Sequence, residues 1–493
     1  MYLLGIDQGT SGSRALILDG SGRVCGYGYR ALPRLYPQTG WVEQDPDVVA
    51  QGVAEAITEA LSKAAVSPHQ IIACGIAGQR NTDFVWSAST GRPLANAITW
   101  QDLRTMPMLA ELAQWEHSAE WRERLGYFPG PYSSAVHLAW RFQHQPAVRA
   151  AAESGDLRIG FSANWLLAAL GHANGHVMDY GLVQAMGLYD FRAEEYWAEW
   201  LAHLGIPRAP LPDPVPNLHD FGTLTIAGAD GETAAVPVRL MMGNEQAALF
   251  GHECRTAGTA ECTHGTASFV NVFLGNHAPR SEKLNIYYAW HLGDQHTYCA
   301  EADTCVTGAA VRWMREEARL FDHDREVDEL AGSVPDAGGV VFVPAFTGLN
   351  VPYNDPTARG TIWGLTLGSS RAHIIRAFLE ALGYQMRAIL ETIEQELGIH
   401  IAQLNVGGGV SASDVACQVQ ADLTGLPITR PAFTELSART AALLAGLAAG
   451  VWPDVAALPP LPPASTHFAP QLPAPTRDAG YAVWHTAVER ARG

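Results

Sequence analysis

The chain carries one short device twice. Near its start an apolar run, Leu3-Leu4-Gly5-Ile6, meets Asp7-Gln8-Gly9-Thr10-Ser11-Gly12-Ser13-Arg14 and gives way to a second apolar run from Ala15 to Leu18. Thr259 to Val270 repeats the theme as a Gly265-Thr266 turn between strand-like runs, with the two Gly-Thr pairs 256 positions apart. Each reads as a strand, a tight polar turn and a returning strand. Two such hairpins, one per half, predict a duplicated domain. In the first turn two glycines let the backbone approach an anion. Thr10, Ser11 and Ser13 offer hydroxyl and amide donors, and Arg14 supplies a fixed cationic fork suited to phosphate. Asp7, at the end of the strand, suits a magnesium ion held through water. A Gly/Ser-rich hairpin with no ligand satisfies the same segment equally well.

At 493 residues the chain exceeds one ordinary core, and two domains of roughly 200–250 residues are expected. Lys and Arg number 32 against 50 Asp and Glu, a formal charge of -18. So acidic a chain is a poor partner for nucleic acid or an anionic membrane surface. Its apolar runs fall short of the roughly 18 residues a bilayer span needs, and Met1 leads into the first strand without a basic leader. A cytoplasmic protein is expected. The seven cysteines (25, 74, 254, 262, 299, 305 and 417) are scattered and never form a CxxC pair, which suits a reducing compartment. His252 lies near Cys254 and Cys262, but without metal-ligand spacing.

The first half alternates strand and helix patterns. Val24 to Tyr29 reads as a third strand, and Asp45-Pro46 opens a helix running to about Ala65. Ile71–Ala77, Phe84–Trp86 and Ala97–Trp100 read as further strands. In the second half Ser370 caps a helix with apolar positions Ile374, Ile375, Phe378, Leu379, Leu382, Met386, Ile389, Leu390 and Ile393, ended by Gly398. Leu404–Val406 then enters Gly407-Gly408-Gly409 and a helix from Ser411 to about Leu423, a seat suited to a nucleotide. A glycine-rich connector is the plainer alternative. A Pro-rich strap at 455–476 precedes a closing helix near Tyr481–Arg490. The domain boundary is expected at Met242-Gly243, giving domains 1–242 and 243–493.

The residues that follow carry a resemblance. Gly5-Ile6-Asp7-Gln8-Gly9-Thr10, Gly40-Trp41-Val42-Glu43-Gln44-Asp45-Pro46, Gly75-Ile76-Ala77-Gly78-Gln79-Arg80 and Ile98-Thr99-Trp100-Gln101-Asp102 come in order. They continue with Gln246-Ala247-Ala248-Leu249-Phe250-Gly251, Val343-Pro344-Ala345-Phe346-Thr347-Gly348-Leu349, Pro352 to Gly360 and Ala421-Asp422-Leu423. The chain resembles the FGGY carbohydrate kinases over almost its whole length, and among them the glycerol kinases. The resemblance implies two α/β, ribonuclease H-like domains of the actin and hexokinase ATPase type, with ATP, Mg2+ and a small polyol or sugar meeting in a cleft. It puts Thr10, Ser11, Arg14 and Thr266 at the terminal phosphates, and Gly308, Gly408, Gly409 and Ser413 on the nucleotide side. It puts Arg80, Asn81, Trp100, Tyr132 and Phe269 around the polyol. Related kinases form dimers or tetramers, and a homodimer or homotetramer is the corresponding expectation.

The departures from the family gather at the chemistry. The family's Gly-Asp-Gln-Gln segment is Gly243-Asn244-Glu245-Gln246 here, and an amide does not accept a proton at neutral pH. The Glu that follows the Gln-Arg pair of glycerol kinases is Asn81. Asp-Gly-Gly has become Gly407-Gly408-Gly409, and a signature lysine has become His137. The basic Gly-Gly-Thr-Arg stretch of sugar-bisphosphate regulation is absent near Gly231-Glu232-Thr233. The reacting set implied is Asp7 with Asn244 and Glu245. Glu245 serves as a base if the local turn swings it inward, whereas on a strand a sequence neighbour points to the other face; otherwise it is a structural residue. Two functions follow: an ATP-dependent kinase of a small polyol or sugar, or a silent paralogue that binds nucleotide or polyol as a sensor or scaffold. A broader actin-type ATPase leaves the pocket residues without a role.

Overall fold

Strand Tyr2–Gln8 is buried along nearly its whole length and flanked on both sides. It pairs antiparallel with Gly12–Asp19, Asp7 facing Arg14 and Gln8 facing Ser13, and parallel with Ile71–Gly78. A computed structural model describes residues 1–304, 306–461 and 465–493; Cys305 and the 462–464 part of the strap lie outside the described residues. The chain divides into two units: 1–251 with 287–298 and 435–460, and 252–286 with 299–434 and 461–493.

The sheet of the first unit runs in the order Val24–Ala31, Gly12–Asp19, Tyr2–Gln8, Ile71–Gly78, Thr233–Gly243, Leu218–Ala227, Gly171–Ala173. One face is covered by helix Pro46–Ala64, which packs on the second and third strands. Asp45 caps that helix by accepting from the Asp47 and Val48 amides, and Ala65 ends it in the left-handed region. The other face receives helix Leu436–Ala448, which lies on Tyr2–Gln8 and Ile71–Gly78. Its approach is close because glycine faces alanine. A Cβ at Gly5 would stand 1.9 Å from the Ala438 carbonyl oxygen, and one at Gly75 2.1 Å from that of Ala441.

The second unit repeats the opening pattern. Ala260–His264 pairs antiparallel with Ser268–Gly275 and parallel with Leu404–Gly407. The strand sequence continues through Ile428–Pro431 to Ser465–Phe468. The duplicated α/β arrangement is therefore present in both sheets. Helix Arg371–Leu397 is capped by a reciprocal Ser370–His373 box and ended by Gly398 at φ 65. Its buried face, including Ile375, Phe378, Leu379 and Leu382, packs with Phe342 and Met314.

Three expectations need correction. The boundary at Met242-Gly243 falls inside the first unit, because helix Asn244–Gly251 packs back on Leu436–Ala448 and the Ser437 hydroxyl donates to the Asn244 carbonyl at 3.0 Å. The helix expected from Ser411 starts at Asp414, after a 3-10 turn over Gly409–Ala412. The strap contains a strand, Ser465–Phe468, and the closing helix runs over Ala474–Arg492. No helix among the described residues is long and apolar enough to cross a membrane.

Candidate functional site

In the first unit, the turn between the first two strands is closed by the Gly9 amide donating to the Gly12 carbonyl at 3.0 Å. Thr10 sits at its apex, and its hydroxyl accepts from the Trp100 indole at 2.8 Å. Two residues that the sequence expectation placed in different parts of the site, Thr10 at the phosphates and Trp100 at the polyol, are thus in direct contact. Arg14 reaches Asp7 at 3.4 Å and Glu435 at 2.8 Å, with Tyr29 beneath its guanidinium. Its charge is already shared between two carboxylates, an arrangement the turn sequence alone did not reveal. Ser11 accepts from Arg34 at 2.8 Å, and the buried Arg34 Nε has no hydrogen-bond partner among the described residues. Arg34 beside Ser11 had no sequence signal, since Leu32-Pro33-Arg34 matches no motif.

Asp7, next to last in the first strand, is almost fully buried. Burial pushes its carboxyl up to about 6, against the opposing pull of Arg14. Its Oδ1 is buried without a hydrogen-bond partner among the described residues. A buried carboxylate oxygen with spare acceptor capacity, in a medium that disfavours its charge, suits a hard divalent cation.

Arg80 follows Ile71–Gly78, is largely buried and lies 4.6 Å from the Tyr287 ring centroid. Asn81 adopts φ 55, the left-handed region that Asn tolerates better than most residues, with its Oδ1 buried and unpartnered among the described residues. Tyr132 donates to the Phe128 carbonyl at 2.9 Å. The turn before it is anchored by His137, whose Nε2 lies 2.8 Å from the Pro131 carbonyl and whose Nδ1 lies 3.0 Å from Asp83. Arg141 also pairs with Asp83 as a buried ion pair. His137, at the position of the family's lysine, is thus a structural anchor behind Tyr132.

Asn244 and Glu245 open helix Asn244–Gly251. The alternation of a strand therefore does not apply to them, and Glu245 is turned about 100° around a helix axis from Asn244. Gln246, on the same turn, is buried with neither amide atom partnered among the described residues.

In the second unit, Thr266 and Gly308 are brought together. The Thr307 and Ala309 amides donate to the Thr266 carbonyl at 3.0 and 3.2 Å, and the Gly308 amide donates to Gly265 at 3.0 Å. A Cβ at Gly308 would stand 2.6 Å from the Gly265 oxygen. Gly408 abuts the same hairpin at φ 83, where a Cβ would lie 2.4 Å from the His264 carbonyl. His264 is buried between Ser268 at 2.7 Å and Gln420 at 3.0 Å, and burial lowers its pKa to about 4. This support for the Thr266 hairpin had no signal in a chain of 18 dispersed histidines. Gly407 has a steric reason: a Cβ there would be 2.9 Å from His252 Nε2. Ser413 caps helix Asp414–Thr424 by accepting from Ala416 and donates to Asp328, so its hydroxyl is committed within the protein. Gly409 has open space where a Cβ would stand. Phe269 lies half-buried on strand Ser268–Gly275.

The FGGY family of carbohydrate kinases matches with its N-terminal domain over residues 2–251 and its C-terminal domain over 260–449. A glycerol kinase of Symbiobacterium thermophilum is 41% identical over 493 residues, covering 100% of this chain and 98% of its own. Glycerol kinase 2 of Sulfolobus acidocaldarius is 38% identical over 492 residues, with coverage of 100% and 98%. Among solved structures, Plasmodium falciparum glycerol kinase with ADP superposes with a TM-score of 0.88 at 25% identity, covering 99% of this chain and 98% of that one.

Proposed function

The chain belongs to the FGGY family of carbohydrate kinases, and we propose that it transfers the terminal phosphoryl group of ATP to a hydroxyl of a small polyol or sugar. The observation that supports this reading is the 2.8 Å hydrogen bond from Trp100 to Thr10, which ties the turn we assign to phosphate to a residue we assign to the acceptor. The ADP held by the Plasmodium falciparum relative supports ATP as donor. Asp7 would hold Mg2+, which supplies charge neutralisation on the transferring group. Thr10, Ser11, Arg14 and Thr266 serve the phosphates, while Gly308, Gly408 and Gly409 border the nucleotide. Arg80 bonds acceptor hydroxyls, and Trp100, Tyr132 and Phe269 wall the carbon chain. Glycerol is the nearest analogue, and Asn81 in place of a carboxylate makes a tetritol or pentulose an acceptor to test beside it. The six described cysteines are free thiols, which supports a reducing compartment such as the cytoplasm.

Asn244 lowers the rate without abolishing it. Base assistance contributes about 10²–10⁴-fold, whereas positioning and charge neutralisation carry most of phosphoryl transfer through its loose transition state. Asn244 also motivates the second reading, a nucleotide- or polyol-binding sensor. ADP release from Mg-ATP across a panel of polyols and sugars separates the two. Acceptor-dependent turnover supports the kinase; a silent wild type beside an active Asn244→Asp variant supports the sensor.

A further inference from the structure

We infer that a relay of three buried glutamines, Gln79, Gln8 and Gln44, turns the backbone carbonyls of the Gly9–Thr10 turn inward and so gives that turn its affinity for phosphate. The inference rests on the nucleotide-binding reading above. Gln8 and Gln44 are fully buried and Gln79 is 2% exposed. Gln8 Nε2 donates to the Gly9 carbonyl at 2.9 Å, and Gln44 Nε2 to the Thr10 carbonyl at 2.9 Å. Gln79 Nε2 donates to both of their Oε1 atoms, at 3.1 Å to Gln8 and 2.9 Å to Gln44. Thr82 in turn donates to Gln79 Oε1 at 3.2 Å.

The direction of the relay is forced from its end. Backbone carbonyls only accept, so the amide nitrogens of Gln8 and Gln44 must face the turn. Their oxygens then face Gln79, whose nitrogen must point to them and whose oxygen is left for Thr82. Each amide has one arrangement that satisfies the whole set, and reversing any of them leaves buried groups unpaired. The next carbonyl along, that of Ser11, accepts from the Leu32 amide at 3.0 Å. Three successive carbonyl dipoles are therefore bound by the protein, and negative potential is withdrawn from the side an anion would approach. Because the Thr10 hydroxyl accepts from Trp100, its own hydrogen is directed elsewhere and serves a phosphate oxygen. Gln8, Gln44 and Gln79 are positioning residues in this scheme, and Gln79 directly precedes Arg80.

The test uses the full chain and titrates ADP and a non-hydrolysable ATP analogue by calorimetry, with acceptor KM measured in parallel. Gln44→Met keeps length and neutrality but removes the donor to Thr10; Gln44→His restores a donor. Losing one such hydrogen bond should raise nucleotide Kd roughly tenfold, with acceptor KM moving less than about twofold and the His variant recovering part of the loss. Gln79→Met, one step back, should show a smaller change in the same sense, and it replaces Gln44→Met if that variant does not fold. A folded Gln44→Met with wild-type nucleotide Kd, or with equal losses for nucleotide and acceptor, would overturn the relay. A wild type that binds neither nucleotide overturns the kinase reading instead.

Discussion

Gly75→Ala should loosen the first unit by wedging helix Leu436–Ala448 off its sheet. The new Cβ would start 2.1 Å from the Ala441 carbonyl oxygen and 2.7 Å from the carbonyl carbon. Real contacts of this kind do not fall below 3.0 Å, so helix and strand must separate by about 1 Å at that point. Both partners are backbone, and no side chain can rotate to absorb the strain. The neighbouring strand offers no relief, since Gly5 meets the same helix at 1.9 Å. Overpacking ordinarily costs about 1–3 kcal/mol, and a rigid backbone clash belongs at or above the top of that range. At about 3 kcal/mol the melting transition should fall by roughly 3–5 °C, the smaller shift applying if the whole chain unfolds together and the larger if the first unit unfolds alone. Gly78→Ala on the same strand is the control, because its nearest neighbour is the Ser162 hydroxyl at 3.0 Å, the end of a side chain. Thermal and urea unfolding of both variants, followed by tryptophan fluorescence, gives the comparison. Equal stability of Gly75→Ala and Gly78→Ala would refute the argument that glycine is required there by the approach of the helix.

Asp179, which caps helix Tyr180–Ala185 by accepting from the Gly181 and Leu182 amides, is pushed by burial from the ordinary carboxyl range up to about 7. The folded protein therefore binds that proton more tightly than the unfolded chain. Its contribution is complete below about pH 4 and is lost as pH rises towards about 7. Urea unfolding of Asp179→Asn should show its stability relative to wild type improving by up to about 4 kcal/mol between pH 4 and pH 8; a pH-independent difference contradicts the shift. Arg34→Gln should weaken ATP binding roughly tenfold, and an unchanged nucleotide Kd would return Arg34 to a structural role. Arg80→Ala should raise acceptor KM by about 10²-fold through loss of charge-assisted bonds to the acceptor, and an unaltered KM removes the pocket assignment.

Much of the fold was legible because its signals are local. Asp45-Pro46, Ser370 and Gly398 mark helix ends through capping chemistry that acts within one turn, and the repeated Gly-Thr hairpin announced two related sheets. The boundary was not legible, because it depends on residues 435–460 returning to the first unit. The Ala-rich face of that segment has meaning only once Gly5 and Gly75 lie opposite it. The start of helix Asp414–Thr424 was misplaced at Ser411 because Ser411 and Ser413 are both plausible caps; the hydrogen bond from Ala416 to Ser413 distinguishes them. At the candidate site, the hairpin that carries Thr10 followed from its pattern of two apolar runs around a polar turn. Arg34, Gln44, His264 and the sharing of Arg14 with Glu435 did not. Each depends on partners distant in sequence, and a polar residue's partner is fixed by the tertiary fold rather than by its neighbours. Asn244 was identified, but its opening of a helix changes the relation to Glu245 that a strand would impose.

This chain, with Asn244 where its family carries Asp, should still phosphorylate a small polyol or sugar. The most direct measurement is detection of the phosphorylated acceptor itself by phosphorus NMR, with wild-type protein, Mg-ATP and glycerol, a tetritol or a pentulose. The expected result is a phosphomonoester signal that grows with time, requires the acceptor and grows faster in Asn244→Asp, by no more than about 10²–10⁴-fold. No phosphomonoester from any acceptor, with wild-type protein shown to be folded and saturated with nucleotide, would contradict it.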